Sequence, residues 1–212
     1  MNANARKDLI VIVADKSMQA ALQGILQRPQ ALGIRSLSFR VVSLANHDCG
    51  VRTDGVATAM SFRAEYSSAL LLLDYEGCGA DGDSQNAQSQ EAMQQRLRCD
   101  LRSAWGDESD AVVIDPELDA WAWGSDESLR QVLGWHDAST LREWVVQQRF
   151  VLHANGKPVR PKEALEAVCR RIRIPRSAAL YGELAGRLSL QRCEDAAFLR
   201  LRSILRNWFP KV

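Results

Sequence analysis

The sequence contains few of the residue patterns that identify common classes of site. Its five cysteines are scattered, odd in number and without a CxxC pair, so neither a zinc site nor a disulfide framework is expected. The three histidines share no metal-ligand spacing. A Walker phosphate loop, a G-x-S-x-G elbow and a G-x-G-x-x-G dinucleotide motif are also absent. These absences disfavour an NTPase or a dehydrogenase.

Long hydrophobic runs are absent as well. The first residues contain only the short apolar run 9–14, and Asp15 follows it at once. This pattern is typical neither of a signal peptide nor of a membrane span. The sequence therefore predicts a cytoplasmic protein that does not associate with a membrane.

The composition is that of a globular protein with an uneven distribution of charge. The chain has 212 residues, of which 46% are hydrophobic and 25% charged, and its net charge is +1. Residues 157–212 carry 13 Lys/Arg against 5 Asp/Glu, which leaves 14 basic and 21 acidic residues before them. An acidic body and a basic end are compatible with a metal-binding core beside a polyanion-binding surface, or with attraction between the two parts or to a partner chain.

The hydrophobic pattern alternates between strands and helices in the first half of the chain. Helices are expected after the first strand, at 55–66 and at about 90–105, and a Gly- and Asp-rich loop is expected at 77–90. Helices dominate after the fourth strand, most clearly at about 161–173, 177–188 and 194–208, whereas 150–153 is ambiguous. The predicted strands are 9–14, 37–44, 69–74 and 111–115.

This alternation predicts an α/β fold with a parallel sheet of about four strands and right-handed crossovers. Residues 1–124 would form the α/β core, and residues 125–212 a helical C-terminal region packed on it. Ligands of such sheets bind beyond the carboxyl ends of the strands.

Acidic residues follow all four predicted strands. Asp15 lies at the end of the first and Asp48 just past the second, Asp74 and Glu76 lie at the end of the third, and Asp115 and Glu117 at the end of the fourth. Carboxylates are the ligands that Mg²⁺ or Mn²⁺ prefers, and such an ion relieves the repulsion within a cluster. The alternative is that each acid caps a helix or remains solvated.

Several segments resemble a known family. Asp15 before a helix, followed later by "LLLDYEG", resembles the TOPRIM fold of topoisomerases, primases and overcoming-lysogenisation-type nucleases. "DYEGCG", "VIDPELDAWAWG", "KPVRPKEALEAV" and the segment from "RSAALYGELAG" onward are similar to small TOPRIM-like bacterial proteins encoded among anti-phage defence genes. The resemblance covers most of the chain.

The resemblance implies a TOPRIM-like, Rossmann-like sheet and roles for particular acids. It makes Asp15, Asp74 and Glu76 the catalytic residues and ligands of Mg²⁺ or Mn²⁺. TOPRIM enzymes usually carry Glu in the first position and D-x-D in the second motif, where this chain has Asp15 and D-x-E. Both differences keep oxygen ligands. Glu117 either joins the metal site or favours a helix N-terminus electrostatically.

Two further groups of residues are candidates for binding. Arg170, Arg171, Arg173 and Arg176 form a basic patch that either contacts nucleic-acid phosphates or remains a solvated face. His47 and Asp48, in a predicted strand-end loop, are additional site candidates beside the simpler interpretation of a loop hydrogen bond.

The leading hypothesis for function is a Mg²⁺-dependent, nuclease-like component of a bacterial anti-phage defence system. Its expected partners are nucleic acid and other defence proteins, with an ATPase among the candidates. The first alternative is a catalytically silent scaffold or sensor subunit that acts through protein partners. The second is a DNA-binding regulator that uses the C-terminal helices.

Overall fold

The computed structural model describes residues 6–80 and 87–211. Its centre is a sheet of four parallel strands in the order β2-β1-β3-β4. The strands are β1 (Lys7–Val13), β2 (Phe39–Ser43), β3 (Tyr66–Asp74) and β4 (Ser109–Ile114). The predicted α/β class and its parallel sheet are confirmed, and the architecture is consistent with a Rossmann-like fold.

Ten helices are present among the described residues. Those of the first half are α1 (Lys16–Leu26), α2 (Pro29–Leu32), α3 (His47–Met60) and α4 (Gln90–Trp105). Those that follow β4 are α5 (Asp119–Ala122), α6 (Asp126–Leu133), α7 (Leu141–Gln147), α8 (Pro161–Ile172), α9 (Ala178–Arg187) and α10 (Ala196–Trp208). None of the helices in the described part of the chain has the length and apolar character needed to cross a membrane.

The two central strands have continuous apolar stretches because helices cover both faces of the sheet. Residues 9–13 of β1 and 69–73 of β3 are all fully buried. Strand order reverses between β1 and β3, so right-handed crossovers place α1 on one face and both α3 and α4 on the other. A continuous apolar strand is the pattern that such two-sided burial requires.

The helices after β4 pack directly on this core. Helix α9 lies against α1, α8 contacts α5, and α10 contacts β4. Arg200 stabilises the contact between α10 and β4. It donates to the Asp110 carboxylate at 2.6 Å and to the Ala111 carbonyl at 3.2 Å. No observation separates the chain at 124, so the predicted domain boundary stays a prediction.

Three local predictions differ from the structure or lie partly outside it. The predicted helix 55–66 is wrong in its bounds, because α3 already begins at His47 and ends at Met60. The ambiguous segment 150–153 contributes only an isolated bridge between Leu152 and Pro158. Within the predicted loop 77–90, residues 81–86 lie outside the described part of the chain.

The contact between α1 and α9 depends on a glycine. A Cβ atom added to Gly24 would lie 2.9 Å from the Ala185 Cβ and 3.1 Å from the Gly182 carbonyl oxygen. We expect Gly24→Ala to reduce the free energy of unfolding by about 1–3 kcal/mol, because the two helices must move apart.

Gly186 of α9 is the matched control for this substitution. It is exposed, and a Cβ added there would meet no atom within 4 Å. Gly186→Ala should therefore raise the free energy of unfolding by about 0.4–1 kcal/mol. Urea denaturation of both variants measures the two effects, and a stabilising Gly24→Ala would contradict the close helix contact.

Candidate functional site

The ends of β1 and β3 meet at the point where strand order reverses. The two strands are neighbours, with Val13 in register with Leu72, so the residues that follow them lie at the same edge of the sheet. In open parallel sheets this is where a crevice forms and ligands bind. Asp15 and Asp74 both occupy this edge.

Each of three acids at this edge accepts a backbone hydrogen bond. Asp15 caps α1, its Oδ1 accepting from the Met18 N–H at 2.8 Å. Asp48, in the first turn of α3, accepts from the Asp74 N–H at 2.7 Å. Asp74 in turn accepts from the Leu118 N–H at 2.9 Å. The last two bonds connect the segments that follow β2, β3 and β4. Asp15 lies at the same edge because β1 is the neighbour of β3, and the carboxylate edge is named here from Asp15, Asp48, Asp74 and Glu76.

Burial and the charges of neighbouring acids disfavour the ionised forms of two acids of the carboxylate edge. Burial, together with the negative charges of Asp48, Asp119 and Glu117, raises the pKa of Asp74 well above its usual value. Burial also raises the pKa of Asp48, to which the charge of Asp15 adds. The described residues place no Lys or Arg in a salt bridge with any of the four acids of the edge. Their charge is therefore not neutralised within the described part of the chain.

Glu117 is more buried than the sequence indicates. Only 4% of it is exposed, and its Oε2 lies 3.3 Å from the Lys162 ammonium of α8. Burial and the Asp119 charge raise its pKa from 4.5 to about 7, against the opposing effect of Lys162. Glu76 is exposed, and its charge contributes to the same rise.

Asp119 is a member of the site that the sequence analysis missed. It is 2% exposed and binds Arg176 Nη2 at 3.0 Å and the Tyr181 hydroxyl at 2.6 Å. We call Asp119, Arg176 and Tyr181 the buried triad. One signal was available in the sequence: an acid within the apolar run "ELDAWAW" needs a buried partner. The sequence did not indicate which residue this partner is.

The predicted basic patch divides into two parts. Arg176 remains partly exposed, but its guanidinium is paired with Asp119 of the buried triad and also lies 3.7 Å from Glu166. Arg170 and Arg171 are exposed near the end of α8, close to Glu166 and Asp137 respectively. Arg173 follows α8 with φ +60°, in the left-handed region. Arg170, Arg171 and Arg173 are therefore the arginines of the patch that do not belong to the buried triad.

His47 begins α3 rather than lying in a loop, and its φ is +50°. The prediction of a strand-end loop is wrong here because the helix begins earlier than its glycines suggest. Gly55 brings α3 close to the sheet, since a Cβ there would lie 3.2 Å from a Leu71 methyl group. Of the pair His47 and Asp48, only Asp48 hydrogen-bonds to the carboxylate edge among the described residues.

The carboxylates suit a hard cation in their chemistry but do not form a ready-made ligand shell. The hydrogen bonds to Asp15, Asp48 and Asp74 from the described residues all engage Oδ1. Carboxylate oxygens with raised pKa values are donors that Mg²⁺ or Mn²⁺ would stabilise in charged form. Within residues 6–80 and 87–211, no group of three or more His, Cys, Asp or Glu residues is arranged to hold a metal ion.

The comparisons with known proteins add no relative. Neither the family models nor the curated proteins nor the solved structures include a match to this chain. The class of the protein is therefore defined by its own fold, a parallel α/β sheet with an acidic carboxyl edge.

The pKa of Glu117 leads to a testable dependence of stability on pH. The folded protein binds the Glu117 proton more tightly than the unfolded chain does. The stability gained from this protonation is therefore fully present below about pH 4.5 and is lost as pH rises through about 7. Relative to Glu117→Gln, the wild type should lose about 1–2 kcal/mol between pH 5 and pH 8.

Urea denaturation of both proteins at a series of pH values measures this difference. Glu183→Gln is the control, because Glu183 is exposed on α9 and its pair with Arg187 lies at the surface. Parallel stability curves for wild type and Glu117→Gln would contradict the assigned pKa.

Proposed function

We propose that this protein is a divalent-cation-dependent, nuclease-like component that processes nucleic acid in a bacterial anti-phage defence system. The observation that carries the proposal is the grouping of four acids in the carboxylate edge, at the position where parallel α/β sheets bind ligands. The neighbouring acids Glu117 and Asp119 have cationic partners, whereas the four acids of the edge have none among the described residues. The defence context is supported by the sequence resemblance alone.

Asp15, Asp74 and Glu76 would hold Mg²⁺ or Mn²⁺, with Glu117 at the margin of the same group. When bound, such an ion neutralises phosphate charge and lowers the pKa of a coordinated water. Glu117, with its pKa of about 7, can take up or release a proton at neutral pH. Lys162, beside it, would contact a substrate phosphate. Arg170, Arg171 and Arg173 would provide the salt-dependent contacts along the nucleic-acid backbone.

A second candidate function is a catalytically silent scaffold or sensor subunit. This function is favoured because several of the acids already make contacts that stabilise the fold. Asp15 caps α1, Asp119 is held in the buried triad, and Glu117 is joined to Lys162. In this case protein partners of the defence system, an ATPase among them, would carry the chemistry.

Cleavage by the purified protein distinguishes the two functions. Labelled single-stranded DNA, duplex DNA and RNA are incubated with the protein in Mg²⁺, Mn²⁺ or EDTA. The nuclease-like function predicts products that depend on the cation, together with a rise in Tm when the cation is added. Absence of both effects, in the protein alone and in complex with its partners, would favour the scaffold.

A further inference from the structure

A cavity of about 540 Å³ lies beside the carboxyl end of β4. It is bounded by the segment that follows β4, by the turn at 153–158 and by the N-terminus of α10. Small-molecule sites typically have volumes of about 300–1,000 Å³. The cavity is thus large enough for one nucleotide. None of the proposed metal ligands lines it.

One wall of the cavity is apolar and rigid. It contains Pro116, Ala120, Trp123 and Pro158. Trp123 is fully buried, and its indole N–H donates to the Pro161 carbonyl at 3.0 Å, which fixes the ring. Of the four residues only Pro116 is partly exposed, so a flat apolar group such as a nucleobase would contact this wall mainly there.

Other lining residues carry charges of both signs, and the exposed acid Glu194 is among them. Lys157 is held by Asp195 at 3.1 Å, and Arg142 lies 3.0 Å from Asp126. Arg192 is exposed at the rim and makes no salt bridge with a described residue. Its guanidinium is therefore available for an incoming anion.

Two more polar groups lie at the mouth. They are His153 and Asp115, both of which are exposed. A ligand that fits these walls combines an anionic group with hydrogen-bond donors and an apolar face. A nucleotide has all three.

The cavity and the carboxylate edge share a wall. In the segment 115–120, Asp115, Pro116 and Ala120 face the cavity. In the same segment the Leu118 N–H donates to Asp74, and the Pro116 carbonyl accepts from the Glu76 N–H at 3.0 Å. A chain that crosses the edge would therefore bring its next nucleotide to the cavity.

We propose that this cavity binds one nucleotide of a single-stranded nucleic acid, next to the phosphodiester presented to the carboxylate edge. The base lies against the apolar wall, Arg192 and His153 bind a phosphate, and Asp115 accepts from an amino or hydroxyl group. This inference rests on the proposed function and specifies its substrate as single-stranded.

Binding in EDTA tests the cavity apart from any cleavage. The probes are a labelled single-stranded eight-nucleotide DNA, its RNA counterpart, the matching duplexes and 5′-AMP as competitor. Ala154→Trp fills the cavity from an exposed lining position, and Arg192→Glu reverses the rim charge. The controls are Ala154→Ser and Arg130→Glu, an exposed position of α6 outside the cavity.

We expect both cavity variants to weaken single-strand binding by about tenfold or more, with the controls within about twofold of wild type. 5′-AMP should compete with the wild type only. Equal affinity of Ala154→Trp and wild type would overturn the proposal, as would equal affinity for duplex and single strand or no binding of any probe.

Failure of this proposal is distinguishable from failure of the proposed function. Single-strand binding that Ala154→Trp abolishes, in a protein that cleaves nothing, upholds the cavity and overturns the nuclease-like activity. Cation-dependent cleavage that proceeds equally in wild type and Ala154→Trp overturns the cavity alone.

Discussion

Asp74→Asn is expected to reduce the rate of cation-dependent cleavage by about 10³–10⁴-fold, which is a typical loss of rate when a charged catalytic group is removed. The substitution keeps the size of the side chain and an oxygen that can accept from the Leu118 N–H. It removes the charge that a divalent ion needs. The rise in Tm that Mg²⁺ produces in the wild type should disappear as well.

The same variant should be no less stable than the wild type in EDTA at neutral pH. Burial and the charges of Asp48, Asp119 and Glu117 raise the pKa of Asp74. A raised folded pKa means that the folded state favours the protonated acid, so the stability due to Asp74 is lost as pH rises through that value. Asparagine resembles the protonated form and does not titrate.

Cleavage rates and thermal melts in EDTA and in Mg²⁺ measure both effects. Asp100→Asn is the matched control, since Asp100 is exposed on α4. A variant that unfolds would show that Asp74 is a structural acid. One that cleaves at the wild-type rate would place the reaction elsewhere.

Asp119→Ala should destabilise the fold by about 3–5 kcal/mol. The substitution removes the closer carboxylate partner of Arg176, which keeps only Glu166 at 3.7 Å, and leaves the Tyr181 hydroxyl without its acceptor. Burial, with the Asp119 charge, raises the pKa of Tyr181, so the hydroxyl remains protonated and donates. Tyr181→Phe removes only one neutral donor and should cost about 1–2 kcal/mol.

Urea denaturation of the two single variants and the double variant gives the coupling between the residues. Because Asp119 and Tyr181 are in direct contact, their effects should not add. Glu183→Ala is the control, since the pair of Glu183 with Arg187 is exposed and should contribute about 1 kcal/mol or less. An Asp119→Ala variant with a loss as small as this control would mean that the buried triad does not hold α9 to α5.

The order of strands and helices was readable from the sequence because it depends on local pattern. Unbroken apolar runs at 9–13 and 69–73 indicate strands buried on both faces. Residues 161–172 show the helical period together with Pro161 at the first turn. The start of α3 could not be predicted from the sequence, because Gly50 and Gly55 are poor helix formers in isolation. In the structure Gly55 allows α3 to lie close to Leu71 of β3.

The acids at the strand ends were also readable, since every parallel strand of one sheet ends at the same edge. Which acids remain unpaired was decided by the tertiary structure alone. Lys162 reaches Glu117, and Arg176 reaches Asp119 across 57 residues of chain. Neither sequence separation corresponds to the period of a helix or a strand, so neither pair could be predicted from the sequence. Whether a carboxylate can bind a ligand depends on its neighbours in space, and these are brought together only when the C-terminal helices pack on the sheet.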